Sequence, residues 1–306
     1  MRIVTVCRAH NSPGGMGGVS RDRAAALRAA GHEVHVVAPR DRRYSDEFAT
    51  ACVAACDKVR PDLIHLDSYD GSRIWWGDRA ERVALTMHST TWSLFLTKWC
   101  LWRAGIAGPP TTSFPSMAKQ CDNMQKADLV IAISRWEQGI MQDLCGLPDA
   151  RMVYNPIAPY FFDTPRRPVP AGGYVLSAGA ASTRGYDVAE GAAKEIGVPF
   201  KHVRGIARED MVDVYDRCRA LVLPTARASG FDLIYAESIA RGRPVIVSKL
   251  AAYRMDCLPG TCHVPIRDVQ AVASAIGTAN CLEIEEGAAD RHRPERHAAA
   301  WLEAVR

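Results

Sequence analysis

Short apolar segments alternate with amphipathic segments along most of this chain, and the alternation restricts the folds open to it. The runs "RIVTVC" (2–7) and "ALVLPT" (220–225) are almost continuously apolar instead of apolar at every second residue. Strands of this kind are buried on both faces, as in parallel sheets covered by helices. Repeated strand–helix–strand units therefore predict an α/β protein with doubly wound parallel sheets.

The alternation occurs in two series, separated by the Pro-, Gly- and Arg-rich segment "DTPRRPVPAGG" (163–173). This composition is typical of a linker. We therefore predict an N-terminal Rossmann-like domain (1–163), a C-terminal Rossmann-like domain (164–285) and a last helix (286–306) that packs back toward the first domain. Strands are predicted at 2–7, 33–39, 61–67, 82–89, 127–134, 151–156, 174–179, 200–205, 220–225 and 244–248, and residues 90–125 are predicted to be irregular.

Charge and cysteine content favour a reducing, aqueous environment. The net charge is +4 over 306 residues and is spread along the chain, which argues against a dedicated polybasic face for nucleic acid. The ten cysteines show no four-ligand zinc spacing, no apolar run reaches the roughly 20 residues of a membrane helix, and the N-terminus does not resemble a secretory signal. We therefore expect reduced thiols and a cytoplasmic protein without a transmembrane segment.

The first loop that could bind a ligand is "RAHNSPGGMGGVSRD" (8–22), where glycines precede a helix predicted over 19–31. Gly17 and Gly18 would let backbone amides approach an anion at the helix N-terminus. A dinucleotide-binding turn fits poorly, because Ser20 stands where its last glycine belongs and no acidic residue closes the next strand. A plain tight turn without a ligand stays open.

Two loops of the second series add further anion-binding groups. Gly179 ends the predicted strand 174–179 and Arg184 follows it, where a guanidinium could hold phosphate oxygens or be a solvated surface charge. The segment "SGFDLIYAE" (229–237) opens a helix whose first amides lack intrahelical acceptors. Glu237 lies four residues after Leu233, where its carboxylate could accept hydrogen bonds from a vicinal diol or form a salt bridge. The predicted contributors from this segment are Ser229, Gly230, Phe231, Asp232, Leu233 and Glu237.

The remaining candidates lie in the first series. His88 lies at the end of the predicted strand 82–89 and could contact a substrate hydroxyl or phosphate, although a lone histidine is more often structural. Trp92, Trp99 and Trp102 alternate with basic residues and could stack on an acceptor, or pack a long loop.

Taken together, these segments resemble the retaining, nucleotide-sugar-dependent glycosyltransferases of the GT-B fold, family 4-like (glycogen-synthase/mannosyltransferase-like). The stretches "GGMGGVSRDRAAALRAAGHEVHVVAP", "ADLVIAIS" with "VYNP", and "ALVLPTARASGFDLIYAESIARGRPVIVS" carry the resemblance over most of the chain. It implies two Rossmann-like domains facing across a cleft, an acceptor-side domain (1–163) and a nucleotide-sugar-binding domain (164–285). It also implies sugar transfer from a nucleotide-diphosphate sugar with retention. It implies no cofactor and no metal, and we expect UDP-sugar in preference to GDP-sugar.

Residue roles follow from the same resemblance. Glu237 would hold the nucleotide ribose, the amides near Asp232 and Leu233 the diphosphate, Arg184 the leaving group, Gly17 and Gly18 the diphosphate side, and His88 the donor sugar. Ser229 replaces the first Glu of the family's Glu-x7-Glu pair, Asp232 replaces a Gly, and Ala180 replaces an Arg after Gly179. With these departures we still expect the chain to bind the nucleotide, and we expect its contacts to the donor sugar to differ from those of the family.

Three functional alternatives remain at this point. The acceptor could be a hydroxymethylated base in viral DNA, given the tryptophans with interleaved cations, or a small molecule, glycan or lipid. The protein could also be a catalytically impaired GT-B-fold nucleotide-binding protein, which the replacements at 229 and 180 favour. An epimerase or phosphorylase on this architecture has less support. Oligomeric state has no sequence signal.

Overall fold

The chain consists of two parallel-sheet α/β units, which confirms the predicted fold class. The computed structural model describes residues 1–12, 15–39, 45–67, 79–103, 105, 110–111, 114–179, 185–226, 230–282 and 284–306, without the side chains of 91, 93, 97 and 100–102. The first unit comprises Met1–Pro156 and Pro294–Arg306, and the second comprises Ile157–Arg293. The sequence-based boundaries at 163/164 and 285/286 stay predictions.

The first unit contains a six-stranded sheet in the order β2-β1-β3-β4-β5-β6, and all of its strand pairs are parallel. Because β1 sits inside the sheet between β2 and β3, the chain passes over both sheet faces. The strands are β1 (Arg2–Val6), β2 (Glu33–Val37), β3 (Leu63–Asp67), β4 (Arg82–Met87), β5 (Leu129–Ala132) and β6 (Arg151–Met152).

The helices of the first unit differ from the sequence prediction at two places. Helix α1 begins at Gly15, four residues before the predicted start at 19, so the glycines belong to the helix. Residues 90–125 contain two helices instead of an irregular segment, because the aromatic side chains of this stretch pack against one another and offset its weak periodicity. The helices are α1 (Gly15–Ala29), α2 (Asp46–Val59), α3 (Thr91–Arg103), α4 (Phe114–Met124), α5 (Arg135–Leu144) and, at the C-terminus, α12 (Pro294–Ala304).

The second unit contains a five-stranded parallel sheet in the order β11-β10-β9-β7-β8. Strand β11 was not predicted, because "TCHV" is too short to stand out; it forms by pairing with β10. The elements are α6 (Tyr160–Asp163), β7 (Tyr174–Ala178), α7 (Tyr186–Glu195), β8 (Phe200–Val203), α8 (Met211–Asp216), β9 (Cys218–Leu223), α9 (Leu233–Ala240), β10 (Val245–Ser248), α10 (Ala251–Met255), β11 (Thr261–Val264) and α11 (Val269–Thr278), with short 3-10 helices at Ala279–Cys281 and Asp290–His292.

Each sheet is covered by apolar side chains on both faces. In the first unit one face packs against α2, α4 and α5, and the other packs against α1 and the fully buried Trp301 of α12. Arg82 and Arg151 donate hydrogen bonds to backbone carbonyls of residues 303–306, which fixes the end of α12 within this unit. None of the nine cysteines with described side chains forms a disulfide, and six of them are buried.

None of the helices in the described part of the chain combines the length and apolar character that crossing a lipid bilayer requires.

Candidate functional site

The carboxyl ends of β7 and β9 lie side by side in the second unit, because these strands pair directly. Gly179, immediately after β7, has φ +116°, a conformation that side chains rarely adopt. Gly185 approaches Pro224 so closely that a Cβ atom there would lie 2.3 Å from the Pro224 carbonyl oxygen. The loops that follow β7 and β9 therefore meet. Arg184 and Ser229 lie outside the described residues.

The start of α9 is held by aromatic contacts. Gly230 is buried, and Phe231 stacks on the buried His292 with ring centroids 4.8 Å apart. Asp232 is the N-cap residue, yet its side chain makes no capping hydrogen bond; its Oδ2 accepts a short hydrogen bond from the Tyr253 hydroxyl. Leu233 is the first residue of the helix and packs against the core of this unit. The carboxylate of Asp232 is thus directed to Tyr253.

Glu237 lies one turn into α9 and is buried, with 3 % exposure. Its Oε1 accepts a hydrogen bond from Arg208 Nη2 at 3.0 Å, and its Oε2 accepts one from the Tyr215 hydroxyl at 2.9 Å. Burial and the adjacent Glu237 carboxylate raise the pKa of Tyr215 well above its usual value, so the hydroxyl stays protonated and donates. Arg208, in the loop between β8 and α8, and Tyr215, on α8, therefore fix the orientation of this carboxylate.

The glycines at the start of α1 serve a packing role. A Cβ atom on Gly17 would lie 2.3 Å from the Ser12 carbonyl oxygen and 2.4 Å from that of Ala9. Arg21 Nη1 donates to the carbonyls of His10 and Ser12, at 2.6 and 2.8 Å, and holds the same turn against the helix. Gly18 is buried beside it. The turn 9–12 thus packs against position 17 so closely that only glycine fits there.

His88 follows β4 and belongs to a hydrogen-bonded ring in the first unit. Its Nε2 lies 2.8 Å from Oδ1 of Asp67, the last residue of β3, and its Nδ1 lies 3.5 Å from Nδ2 of Asn155, which follows β6. Arg23 of α1 closes the ring: Nη1 donates to Asp67 Oδ1 at 2.5 Å and Nη2 to Asn155 Oδ1 at 3.0 Å. We call these four residues the Asp67 ring.

A second histidine supports the Asp67 ring from α12. Arg23 Nε donates to Nε2 of His297 at 3.2 Å, and His297 Nδ1 lies 2.7 Å from the Tyr154 carbonyl oxygen. Desolvation by burial lowers the pKa of His297 well below its usual value, and the Arg23 charge lowers it further. The Arg23 charge and the hydrogen bond from His88 hold the pKa of Asp67 well below its usual range, although burial opposes them. The ring therefore carries one buried ion pair.

The predicted acceptor-side aromatics divide into packed and exposed groups. Trp92 contacts Phe95 and Phe114 edge-on, and its Nε1 is buried without a hydrogen-bond partner among the described residues. Trp99 is 42 % exposed and stacks on Phe95 with ring centroids 6.0 Å apart. The Trp102 side chain lies outside what the structure describes. Trp92 therefore contributes to packing, and Trp99 presents an aromatic face to solvent.

Several residues at these sites had no place in the sequence prediction. Asp67 could have been noticed, because it is an acidic residue ending a buried strand. Arg23 and His297 give no such signal, because they lie on helices 274 positions apart and meet only in the fold. Arg208 and Tyr215 likewise reach Glu237 only through tertiary packing. Within the described residues, no group of three or more His, Cys, Asp or Glu side chains is arranged to hold a metal ion.

Comparison with known proteins relates this architecture to glycosyltransferases. The model of the family described as Glycosyl transferases group 1 matches residues 177–279, the segment that contains Gly179 and α9. A search of curated proteins gives no match.

Solved structures resemble the whole chain. Sucrose-phosphate synthase from Thermosynechococcus elongatus has a TM-score of 0.77 at 17 % identity, covering 100 % of this chain and 98 % of that one. Anabaena HepE in complex with UDP and glucose has a TM-score of 0.68 at 14 % identity, with 100 % and 99 % covered. The catalytic domain of starch synthase IV from Arabidopsis thaliana, bound to ADP and acarbose, has a TM-score of 0.67 at 11 % identity, with 99 % and 98 % covered. The predicted resemblance is thus confirmed: the protein has the GT-B fold of these glycosyltransferases, and its residues 177–279 match the group 1 family.

Proposed function

We propose that the protein is a glycosyltransferase that moves a sugar from a nucleotide-diphosphate sugar to an acceptor hydroxyl with retention of anomeric configuration. The observation that carries the proposal is Glu237, a buried carboxylate that two donors hold in place on α9, inside the segment that matches the family. The donor binds the second unit, and the acceptor binds the first. No metal ion or cofactor is required in this proposal.

The chemistry of Glu237 suits a ribose diol. An ionised carboxylate has about four lone-pair positions, and Arg208 and Tyr215 each donate a hydrogen bond to one of the oxygens of Glu237. A carboxylate oriented in this way suits the two neighbouring hydroxyls of a ribose, which are both donors. Because the carboxylate is already oriented, ribose binding does not have to immobilise it.

The donor that we favour is a UDP-sugar. HepE, which shares the fold over the whole chain, was solved with UDP and glucose, whereas starch synthase IV was solved with ADP. GDP-sugars are the less favoured choice. The described residues of the loops after β7 and β9 contain no feature that selects one base over another. The experiment below therefore assigns the nucleotide.

Transfer would be driven by stabilising the departing diphosphate. We assign this role to the amides at Gly179 and at the start of α9, from Gly230 to Leu233, together with the guanidinium of Arg184. Oriented amides and a cation stabilise developing negative charge without any reorganisation during the reaction. Ser229 would contact the donor sugar in place of a glutamate, and His88 would contact a substrate hydroxyl.

We propose that the acceptor contacts the exposed aromatic face of Trp99. Trp92 packs against Phe95, on which Trp99 stacks, and Trp102 lies nearby in the sequence. A stacked aromatic pair suits a planar acceptor, such as a hydroxymethylated base in viral DNA. A small molecule, a glycan or a lipid remains the alternative acceptor. Cytoplasmic location fits each of these.

A second candidate is a GT-B-fold protein that binds a nucleotide without turnover. The observation that favours it is the serine at position 229, where the family's pattern has the first glutamate of its pair. Such a protein would keep the Glu237 site and lack donor cleavage.

The test is titration calorimetry of the full chain with UDP, GDP and ADP, followed by incubation with the sugar nucleotides of the base that binds. We expect UDP to bind and Glu237→Gln to weaken binding by at least about tenfold, whereas Glu190→Gln, an exposed residue of α7, leaves it unchanged. Proton NMR of the product then gives the anomeric configuration, and EDTA tests metal dependence. Binding without release of free nucleotide would favour the second candidate, and an unchanged affinity in Glu237→Gln would reject the ribose role.

A further inference from the structure

The hydrogen bonds of the Asp67 ring admit one consistent assignment of protons. Arg23 can only donate, so both Asp67 Oδ1 and Asn155 Oδ1 act as acceptors toward it. This orientation turns Asn155 Nδ2, a donor, toward His88 Nδ1. Within the imidazole of His88, Nδ1 must then be the unprotonated nitrogen.

The other nitrogen of His88 has the complementary role. Asp67 is fully buried and its pKa is held well below its usual range, so it is ionised and accepts. His88 Nε2, at 2.8 Å from Asp67 Oδ1, therefore carries the proton. A neutral His88 satisfies every contact in the ring, and the ring then contains one positive and one negative charge.

Exposure differs between His88 and its carboxylate partner. Asp67 has no exposed surface, whereas the His88 side chain is 12 % exposed. The Nε2 atom of His88 is already occupied by the buried carboxylate, which leaves Nδ1 as the nitrogen that could contact a ligand. The contact of Nδ1 with Asn155 is long, at 3.5 Å, so a better donor can compete for this lone pair.

We propose that Asp67 and Asn155 are positioning residues, which hold His88 as the neutral Nε2–H tautomer so that Nδ1 accepts a hydrogen bond from a substrate hydroxyl. This inference rests on the proposed function, because it names the group that recognises a hydroxyl of the donor sugar or the acceptor. His88 acts here as an acceptor and not as an acid. Arg23 fixes the polarity of the ring through its two donations.

The direct test is long-range ¹H–¹⁵N NMR of the full chain with ¹⁵N-labelled histidine, which distinguishes protonated from unprotonated ring nitrogens. The signals of His88 are identified by their loss in His88→Gln. We expect a single tautomer with Nε2 protonated, and a mixture of both tautomers in Asp67→Asn. As a matched control, Glu33→Gln beside the exposed His35 should leave the His88 signals unchanged. A wild-type His88 that is protonated at Nδ1, or averaged between tautomers, would overturn the proposal even if Asp67→Asn fails to fold.

A second measurement addresses the substrate hydroxyl. The side-chain amide of asparagine can occupy the region of His88 Nδ1, and that of glutamine the region of Nε2. We expect His88→Asn to keep about tenfold more kcat/KM for sugar transfer than His88→Gln, the difference corresponding to one hydrogen bond. Equal losses in both variants would contradict a role for Nδ1. If no sugar nucleotide supports transfer, the proposed function fails while the NMR result on the tautomer still stands.

Discussion

Arg208 and Glu237 form a buried ion pair in the second unit, with 3.0 Å between Arg208 Nη2 and Glu237 Oε1. The side chains are only 14 % and 4 % exposed. Removing one partner would leave the other charge buried without compensation, and such a loss typically destabilises a protein by about 3 kcal/mol. We expect Arg208→Met to lower the free energy of unfolding by this amount in urea titrations.

The matched comparison for this pair is the double variant Arg208→Met/Glu237→Leu. Replacing both charges removes the uncompensated group, so the double variant should recover most of the stability. A single variant as stable as the wild type would show that the ion pair is not the reason for the position of Glu237.

Asp216 compensates two buried guanidinium groups. Its carboxylate accepts from Arg241 Nε and Nη2 at 3.0 and 2.9 Å, and Arg243 Nη2 lies 3.8 Å from it. We expect Asp216→Asn to reduce the free energy of unfolding by about 3 kcal/mol in urea titrations. Asp213→Asn is the control: Asp213 is half-exposed and pairs with Arg217 on the surface, so its loss should change stability by less than about 0.5 kcal/mol. Similar effects of both variants would contradict the assignment.

Stability should fall in mild acid because two histidines are buried in neutral form. Burial lowers the pKa of His65 to about 3 and that of His297 well below its usual value. Below pH 6.5, the ordinary value, the unfolded chain binds protons at both positions and the native chain does not. The free energy of unfolding should therefore have its full value above this pH. Below it, the free energy of unfolding should decrease by about 1.4 kcal/mol per pH unit for each histidine.

This pH dependence is measured by urea unfolding at several pH values between neutrality and pH 5. His297→Gln should reduce the slope by one proton. His35→Gln serves as the control, because His35 is exposed on β2 and pairs with Glu33 at the surface. An unchanged slope in His297→Gln would indicate that this histidine is not neutral in the native state.

Two glycines in the first turn of α1 should respond differently to alanine. A Cβ atom at Gly17 would overlap the carbonyl oxygens of Ser12 and Ala9, whereas one at Gly15 meets nothing within 4 Å. We expect Gly17→Ala to destabilise the protein by about 2 kcal/mol through displacement of the turn, and Gly15→Ala to change stability by less than about 1 kcal/mol. Thermal unfolding compares them directly. An equally harmless Gly17→Ala would show that the turn moves freely.

Local patterns in the sequence were sufficient to predict most of the regular elements. The alternation of short apolar segments with amphipathic ones predicted ten of the strands. The runs of β1 and β9 are nearly continuous, because a strand buried on both faces has few polar positions. The helix that opens within the segment 229–237, and the position of Glu237 on it, followed from the turn at the start of that segment. Helix α3 and strand β11 could not be predicted locally, because aromatic packing stabilises the first and pairing with β10 the second.

The sequence by itself determined the fold class and named His88 and Glu237 as candidates, since both belong to local motifs at the ends of buried strands or the starts of helices. Only the tertiary structure decided what surrounds them. Arg208 and Tyr215 reach Glu237 across 29 and 22 positions, and Asp67, Arg23 and Asn155 meet around His88 from three separate segments of the chain. A hydrogen bond depends on distance and direction in space, and when its partners lie far apart in the chain those quantities exist only once the sheets have formed and packed.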